Sequence, residues 1–438
     1  MRAAKSSEMI YVIGGGPAGR MAALRLAGAG REVTILEKRA LGGQCVHDGC
    51  MLVCGLNDAA RAVREAQFLK ARGILEGDIS VKYPAVIAEL EKIQSKLAHI
   101  LENETKAAGV NIEYGAVAEV RGSELFVNGE PRDAEKIIIA AGGEMHVPDI
   151  PGADLPGTYT ARSIRLLRTL PRRLVIVGGG IAAAEFAYIF SAFGSEVTLL
   201  ARSALLKVLP DAMQKAVRRD LAEVEIFEGA KVERILGEAE VCGVQFNGSA
   251  IACDAVLFAT GIRPVSPYVS GLAANPDGSI KVNEYMQTSV ADVYACGDIT
   301  GAPYFTPVAR LQGFAAADAI LGRPRAVDLR QVPFTVVLGL DYTVCPANES
   351  GVTYSAPNIA GPGSFWHVAD GSVGSMHLSV EKESGRILGF ASSAPSCAEV
   401  GTYLGYLVRR GVFVHEFSPM LETHPQADGL YSLIRFAQ

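Results

Sequence analysis

Two stretches of the chain repeat one pattern: an apolar run, a glycine-rich turn, an alanine-rich segment and a second apolar run. Residues 10–40 read IYVIGGGPAGRMAALRLAGAGREVTILEKRA, and residues 174–204 read LVIVGGGIAAAEFAYIFSAFGSEVTLLARSA. β-Branched runs on either side of a helical segment are typical of a β-α-β unit. Because the unit occurs twice, the sequence predicts an α/β chain with two Rossmann-like dinucleotide-binding domains.

The glycine spacing within each unit has a physical reason. The first glycine allows a tight turn, the second lets the backbone approach a pyrophosphate at the helix N-terminus, and the third allows close packing of helix and strand. These positions are Gly14, Gly16 and Gly19 in the first unit and Gly178, Gly180 and Ala183 in the second. The alanine at the third position is tolerable because that position serves packing.

The end of the second strand distinguishes the two nucleotide sites. Glu37 closes the first unit, where a carboxylate accepts hydrogen bonds from an adenosine ribose and repels a 2′-phosphate. The second unit has Ala201 at this position, followed by Arg202. An arginine without a neighbouring acid predicts NADPH as the preferred nucleotide, with NADH as the alternative.

Composition limits the class of protein. The chain has 438 residues, enough for several domains, and a formal net charge of -6, which argues against nucleic acid or an anionic membrane as a partner. The first residues lack the apolar core of a secretory signal, and no apolar run is long enough to span a bilayer. We therefore expect a cytoplasmic protein.

Three of the eight cysteines lie close together in residues 41–54, LGGQCVHDGCMLVC. Cys45 and Cys50 are five residues apart, so in a regular helix they point to different faces and a bridge needs a distorted turn. Neighbouring glycines permit such a turn. A metal site of Cys45, His47, Cys50 and Cys54 and an inert cysteine-rich turn are the alternatives.

Over nearly its whole length, the sequence resembles the pyridine nucleotide-disulfide oxidoreductases of the dihydrolipoamide dehydrogenase, glutathione reductase and mercuric reductase group. The resemblance rests on VIGGGPAG, GGQCVHDGC, VIVGGGIAAAEFA, ATGIRP, YACGDITG, FTPVARLQGFAAADAILG and a late His-Pro. It implies an FAD-binding domain in two segments, 1–145 and 258–325, around an NAD(P)-binding domain, 146–257. Residues 326–438 would form an α+β dimerisation domain, making the protein a homodimer.

The resemblance also implies which residues contact the two cofactors. FAD would lie against Gly14, Gly16, Gly19, Glu37, Lys38, Gly43, Gly142 and Asp298. The nicotinamide nucleotide would lie against Gly178, Gly180, Ala183, Arg202 and Gly261.

By the same resemblance, Cys45 and Cys50 form the redox disulfide, which is favoured over a metal site. Cys45 is the exposed thiol that exchanges with the substrate, and Cys50 is the thiolate that exchanges electrons with the flavin. His424 of the partner subunit is the acid or base. Electrons would pass between nicotinamide, FAD, this pair and a small disulfide or dithiol.

Two departures from the family pattern concern the active site. Cys54 replaces a lysine that pairs with a glutamate, and the matching Glu185 is retained, so its carboxylate would disfavour an anionic reduced flavin or take up a proton. Cys54 would either fill space or resolve a mixed disulfide. Gly429 replaces a glutamate that orients the histidine, leaving Asp428 as a substitute if the backbone turns it inward.

Dihydrolipoamide is the leading candidate substrate, closely followed by another small thiol, because the last residues lack the cysteine pair expected for mercuric reductase. Two other classes stay open. One is a flavin reductase for quinones or other acceptors with auxiliary cysteines. The other is an FAD-binding docking subunit of a multienzyme complex.

Overall fold

The computed structural model describes residues 8–264 and 268–437. A five-stranded parallel sheet contains the first glycine turn, with strand order β19-β7-β1-β2-β3. Its strands are β1 (Ile10–Ile13), β2 (Val33–Glu37), β3 (Asn111–Tyr114), β7 (Lys136–Ile139) and β19 (Val293–Ala295). The central strands are almost wholly buried, as expected for a parallel sheet covered on both faces. The chain thus returns to its first sheet late in the sequence, at β19.

Two helices pack together beside this sheet, α1 (Pro17–Ala27) and α7 (Thr306–Ile320). They approach so closely that a Cβ on Gly313 would lie 2.2 Å from the Ala18 carbonyl oxygen. Their buried alanines share one core with the strands. The close contact fixes the N-terminus of α7 relative to the glycine turn that precedes α1.

Three helices follow β2: α2 (Gly43–His47), α3 (Cys50–Ala71) and α4 (Tyr83–Ala107). A small sheet combines the antiparallel β4 (Ala118–Arg121), β5 (Glu124–Val127) and β6 (Glu130–Arg132) with β18 (Val269–Ser270). A two-stranded pair, β8 (Glu144–Met145) and β17 (Ile262–Arg263), joins the chain where it leaves and re-enters the first unit.

The second glycine turn lies in another five-stranded parallel sheet, of order β12-β11-β10-β16-β9. It is built from β9 (Thr158–Thr160), β10 (Arg173–Val177), β11 (Glu196–Ala201), β12 (Val224–Glu228) and β16 (Ala255–Phe258), with helices α5 (Ile181–Phe193) and α6 (Asp211–Asp220). The antiparallel strands β13 (Val232–Leu236), β14 (Gly243–Phe246) and β15 (Ser249–Ala252) flank it. Helix α5 is almost wholly buried because it packs on this sheet and on α3.

The last part of the chain forms an antiparallel sheet of order β20-β21-β24-β23-β22. Its elements are β20 (Phe334–Val337), β21 (Asp341–Cys345), β22 (Val352–Pro357), β23 (Ser375–Val380), β24 (Ile387–Ala394), α8 (Cys397–Arg409) and α9 (Leu430–Phe436). The fold is therefore α/β with two Rossmann-like units and a C-terminal α+β unit, as the sequence predicted. Across the described residues, no helix has the length and apolar character to cross a bilayer.

Candidate active site

The cysteine segment spans two helices with a short break between them. Helix α2 ends at His47 and α3 begins at Cys50, with Asp48 and Gly49 between them. Asp48 is buried and forms ion pairs with Arg39 at 2.9 Å and Arg165 at 3.0 Å, which hold this break in place. This is the distorted turn that a Cys45–Cys50 bridge requires, and it brings the two sulfur atoms together.

Both sulfur atoms contact Thr306, the first residue of α7. The Thr306 hydroxyl lies 3.6 Å from the Cys45 Sγ and 3.5 Å from the Cys50 Sγ. Both cysteines are free thiols in the structure, and they are hydrogen-bonded to each other. The Cys50 thiol is the main cause that lowers the pKa of Cys45 to about 6, and Thr306 and the charge of Arg310 act in the same direction against burial. A thiol with such a pKa is largely thiolate at neutral pH, the nucleophilic form.

The two thiols differ in exposure. Cys45 is half-buried and Cys50 is exposed toward the central cavity, so the role of Cys45 as the thiol that meets the substrate stays a prediction. Cys50 occupies the first position of α3, where its side chain lines the large central cavity. Hydrogen bonding to Cys45 chiefly raises the pKa of Cys50, with burial adding to it.

The cysteine segment shows no metal-binding geometry. His47, the proposed nitrogen ligand, has its Nε2 atom 2.9 Å from the Leu41 carbonyl oxygen. Within residues 8–264 and 268–437, no group of three or more His, Cys, Asp or Glu side chains is placed to hold a metal ion. The ring of His47 therefore fixes the backbone turn instead.

The first glycine turn needs glycine for reasons of space. Gly14 has φ +98°, and a Cβ there would lie 2.5 Å from the Ala140 carbonyl oxygen. A Cβ on Gly19 would lie 2.0 Å from the Gly14 carbonyl oxygen. Glu37 accepts hydrogen bonds from the Gly15 N–H at 2.7 Å and the Arg39 N–H at 2.8 Å, so its carboxylate lies directly over the turn.

Gly43 connects the cysteine segment to this turn. It has φ +57°, and a Cβ on it would lie 2.9 Å from the Gly16 Cα. Because α2 begins at Gly43, this contact places Cys45 beside the first glycine turn. The sequence predicted Gly43 as a cofactor residue but did not predict this backbone contact.

One cavity of about 1400 Å³ joins the thiols to both glycine turns. A pocket for one small ligand is typically about 300–1,000 Å³, so this cavity has room for more than one. Every residue predicted to bind FAD lines it except Gly19, which packs beneath the turn: Gly14, Gly16, Glu37, Lys38, Gly43, Gly142 and Asp298. Lys38 also places its Nζ over the Tyr268 ring, 5.2 Å from the centroid.

Polar atoms in this cavity lack partners within the described chain. His146 Nδ1 and Arg162 Nε are buried without a hydrogen bond, and both side chains line the cavity. Burial raises the pKa of Asp298, an effect that Arg162 opposes. Unsatisfied buried polar atoms are costly, so they indicate a polar ligand in this part of the cavity. Together with the glycine turn, they fit FAD.

The second glycine turn also lines the cavity. Gly178 has φ +145°, and a Cβ on it would lie 2.3 Å from the Ala259 carbonyl oxygen. Gly180 and Gly261 also line the cavity, whereas Ala183 is buried in the helix beneath the turn, as its packing role requires. Arg202 lines the same region together with Lys207 and Lys231. The turn therefore fits a dinucleotide, and the cations fit an added phosphate.

Glu185 and Cys54 also line the cavity, on facing helices α5 and α3. Burial chiefly raises the pKa of Glu185 to about 8, and the hydrogen bond from the Val337 backbone opposes this effect. The Glu185 carboxylate accepts a hydrogen bond from the Val337 N–H at 3.1 Å. Burial raises the pKa of Cys54 as well.

His424 and Asp428 lie in different environments. His424 is exposed in a segment before α9. Asp428 is buried, and its carboxylate accepts hydrogen bonds from the Ser392 hydroxyl at 2.8 Å and the Leu430 N–H at 2.7 Å. These partners hold Asp428 within the C-terminal unit and at the start of α9.

Sequence reasoning missed several residues of this site. Thr306 follows Cys50 by 256 positions, and the motif FTPVARLQGFAAADAILG that contains it supports only the family resemblance. Arg162, His146, Lys207 and Lys231 line the cavity from loops that carry no motif. Nothing in their local sequence marks them, because tertiary packing alone brings them to the site.

The comparisons with known proteins agree with this geometry. A family model described as pyridine nucleotide-disulphide oxidoreductase matches residues 9–313. The chain is 29% identical to a dihydrolipoyl dehydrogenase of Acholeplasma laidlawii, covering 71% of this chain and 96% of the relative. It is 28% identical to a mercuric reductase of Shigella flexneri, covering 94% and 77%.

Among solved structures, the HOCl-induced flavoprotein disulfide reductase RclA from Escherichia coli superposes with a TM-score of 0.85 at 25% sequence identity. The match covers 98% of this chain and 100% of that chain. The chain is therefore an FAD- and NAD(P)H-dependent oxidoreductase that belongs to the pyridine nucleotide-disulphide oxidoreductase family.

Proposed function

We propose that the protein reduces a small disulfide with electrons from NADPH, using Cys45 and Cys50 as its redox pair. The observation that carries this proposal is the meeting of the two thiols and Thr306 in the cavity that also contains both glycine turns. A thiol pair elsewhere on the surface would have no route to the nucleotides. Here the pair lines the same cavity as both glycine turns.

The chain offers two sets of residues for its cofactors. FAD would lie against Gly14, Gly16, Gly19, Glu37, Lys38, Gly43, Gly142 and Asp298, and NADPH against Gly178, Gly180, Ala183, Arg202 and Gly261. When bound, FAD supplies a carrier of two electrons between the nicotinamide and the cysteine pair. Arg162 and His146 add donors for its polar groups, since both have an unpartnered ring or guanidinium nitrogen.

The thiol chemistry follows from the surroundings of the pair. The Cys45 thiolate attacks one sulfur of the external disulfide, giving a mixed disulfide and releasing the other sulfur as a thiolate. Cys50 then attacks Cys45, releases the second product thiolate and re-forms the Cys45–Cys50 disulfide. Thr306 donates a hydrogen bond to the Cys45 sulfur and stabilises its negative charge. His424 of a second copy would protonate the leaving thiolates.

The preference for NADPH is supported by three cations. Arg202, Lys207 and Lys231 line the cavity near the end of β11, where the first unit instead carries Glu37. A 2′-phosphate at this position gains charge-assisted hydrogen bonds that NADH does not make. Lys207 and Lys231 thus extend the prediction made from Arg202 alone.

The physiological substrate is proposed as a class, a small disulfide or dithiol, with dihydrolipoamide and lipoamide as the first pair to assay. Such a disulfide would have to reach the Cys45 sulfur beside Thr306. The dihydrolipoyl dehydrogenase of Acholeplasma laidlawii, which acts on a lipoyl group by its name, supports this choice.

The direct test is anaerobic titration of the holoenzyme with NADPH and then NADH, with a count of new thiols per FAD. We expect NADPH to generate two thiols in the wild type. A Cys45→Ser variant should keep its FAD and its reduction by NADPH while losing disulfide turnover. Cys242→Ser is the matched control, because Cys242 is an exposed thiol outside this cavity.

The alternative, a reductase for quinones or other acceptors, gives the opposite result. In that case Cys45→Ser would retain acceptor reduction, and NADPH would produce no new thiols in the wild type. A docking subunit would show no turnover with either variant. Either outcome would overturn the disulfide proposal.

A further inference from the structure

Arg310 is an exposed arginine on α7, the helix whose first residue contacts both redox sulfur atoms. It follows Thr306 by four residues, so the two side chains lie on one face of the helix with Cβ atoms about 5–6 Å apart. Ala309, the residue before it, lines the central cavity, whereas Arg310 does not. Helix α7 therefore presents Arg310 to solvent, one turn from the residue that contacts the thiols and outside the space that the cofactors would fill.

The guanidinium of Arg310 is free to bind an anion. Among the residues that the structure describes, none accepts a hydrogen bond from it or forms an ion pair with it. Arg25, the cation over the Phe314 ring one turn further along α7, is different. It donates to the Asp318 carboxylate through two nitrogens at 2.9 Å each. An arginine without such a partner keeps its N–H donors available for bidentate binding of a carboxylate.

The charge of Arg310 acts on the reactive sulfur. It is the cation among the groups that lower the pKa of Cys45 to about 6, and the resulting thiolate is the nucleophile of the pair. A disulfide must bring its own sulfur to the Cys45 sulfur, so its substituents enter the field of the same cation. An anionic substituent is attracted there, a neutral one gains nothing, and a cationic one is repelled.

We propose that Arg310 selects the substrate by binding small disulfides that carry a carboxylate about one helical turn from their sulfur atoms. This inference rests on the proposed function and narrows its substrate class. With the reacting sulfur beside Thr306, a carboxylate joined to it by a short carbon chain is within reach of a guanidinium one turn along the helix. The neutral side arm of lipoamide makes no such ion pair.

The atoms and electrons of the reaction balance. NADPH supplies a hydride and solvent supplies one proton, the S–S bond of the substrate breaks, and two carboxylate-bearing thiols leave. Arg310 takes no part in the transfer of electrons or protons. Its contribution is the attraction of the anion, so the preference should weaken when added salt screens the two charges.

The test compares small disulfides of matched length that differ in charge: dithiodipropionate is anionic, hydroxyethyl disulfide is neutral and cystamine is cationic. Steady-state kcat/KM is measured for each with the holoenzyme and NADPH. In Arg310→Gln, the ratio of dithiodipropionate to hydroxyethyl disulfide should fall about fivefold from the wild-type ratio, as expected for an exposed ion pair. Because each ratio is compared between variants, the intrinsic reactivities of the disulfides cancel.

Two further variants make the result specific. Arg325→Gln is the matched control, because Arg325 is an exposed arginine beyond the end of α7 and outside the cavity, and its ratio should equal that of the wild type. Arg310→Glu guards against a variant that merely folds badly. It should raise the ratio of cystamine to hydroxyethyl disulfide about fivefold, a gain that damage to the protein does not produce.

The outcomes separate this inference from the proposed function. An unchanged dithiodipropionate ratio in Arg310→Gln, with hydroxyethyl disulfide still reduced, would overturn the inference alone. So would an equal loss for every disulfide, which would assign Arg310 to the Cys45 thiolate, or monomers in sedimentation velocity only for Arg310→Glu, which would assign it to a subunit interface. Failure of the wild type to reduce any of these disulfides would overturn the proposed function and this inference together.

Discussion

At the scale of a single residue, Thr306 adds to the effect of Cys50 on the Cys45 thiol. Its hydroxyl contacts both sulfur atoms and helps to lower the pKa of Cys45 to about 6. A hydrogen bond to a charged group contributes about 1.5–3 kcal/mol, and 1.36 kcal/mol corresponds to one pH unit. Thr306→Val should therefore raise the Cys45 pKa by about 1–2.

This prediction is checked by the pH dependence of iodoacetamide alkylation of the reduced enzyme, followed at Cys45 by mass spectrometry. The midpoint should move upward in Thr306→Val, and disulfide turnover at pH below the new midpoint should fall about tenfold. Thr169→Val is the control, because Thr169 is exposed and lies outside both the cavity and the C-terminal unit. An unchanged midpoint would show that Thr306 does not stabilise the thiolate.

Arg202 carries the predicted choice between the two nicotinamide nucleotides. Replacing it with alanine removes one of three cations from the end of β11, and we expect KM for NADPH to rise about tenfold while KM for NADH stays near its original value. Steady-state kinetics with both nucleotides measure this difference. Lys215→Ala, an exposed cation on α6, should change neither value. Equal losses for both nucleotides would contradict a role in 2′-phosphate binding.

At the scale of elements, short sequence patterns predicted those helices, strands and turns whose structure depends on neighbouring residues. The repeated glycine turns predicted both β-α-β units, because turn, helix start and strand order are encoded within about thirty residues. The glycines around Cys45 predicted a distorted turn, which the structure places at Asp48 and Gly49. Thr306, Arg162 and Lys231 were missed because only tertiary packing brings them to the cavity. The partners of Asp428 were missed for the same reason.

The contact between Gly43 and Gly16 is a feature at the scale of elements, and it can be tested by adding one methyl group to Gly43. Gly43→Ala adds a Cβ 2.9 Å from the Gly16 Cα at φ +57°, so α2 must move away from the first glycine turn. We expect less FAD bound per chain, with native circular dichroism retained. Gly30→Ala is the matched control, since Gly30 has φ +81° but open space around it.

The control isolates the collision from backbone strain. A non-glycine residue in the left-handed region costs about 1–2 kcal/mol, and both variants carry that cost. Only Gly43→Ala also disturbs the approach of the cysteine segment to the turn. Equal loss of FAD in the two variants would show that strain alone is responsible, and full FAD retention in Gly43→Ala would show that the turn adjusts without consequence.

At the scale of the whole molecule, the predicted site needs a residue from a second chain. Helix α8 buries its small residues against the C-terminal sheet and points Tyr403 and Tyr406 outward, 70% and 64% exposed. Leu421 and Phe436 are exposed apolar side chains of the same C-terminal unit, and His424 lies close by in sequence. An exposed apolar surface of this kind is typical of a subunit interface. The homodimer therefore remains our prediction.

Disruption of this surface should separate the two halves of the reaction. Tyr403→Glu with Tyr406→Glu introduces two charges into the apolar surface, and we expect sedimentation velocity to show monomers. Each monomer should still bind FAD and accept electrons from NADPH, because both glycine turns belong to one chain. Disulfide turnover should fall by about 10²–10⁴, the usual effect of losing a general acid. Leu166→Glu, an exposed leucine outside the C-terminal unit, should leave the dimer and its turnover intact.

Mixed dimers provide the decisive form of this test, because they distinguish a donated histidine from a merely stabilising interface. His424→Ala and Cys45→Ser should each be inactive dimers with disulfide substrate. When the two are mixed and allowed to exchange subunits, each mixed dimer regains one site with an intact Cys45 and a histidine from the other chain. Recovery of activity toward one half of the wild-type value per mixed dimer is the expected result. No recovery, or full disulfide turnover by the monomeric double variant, would mean that each chain works with its own groups alone.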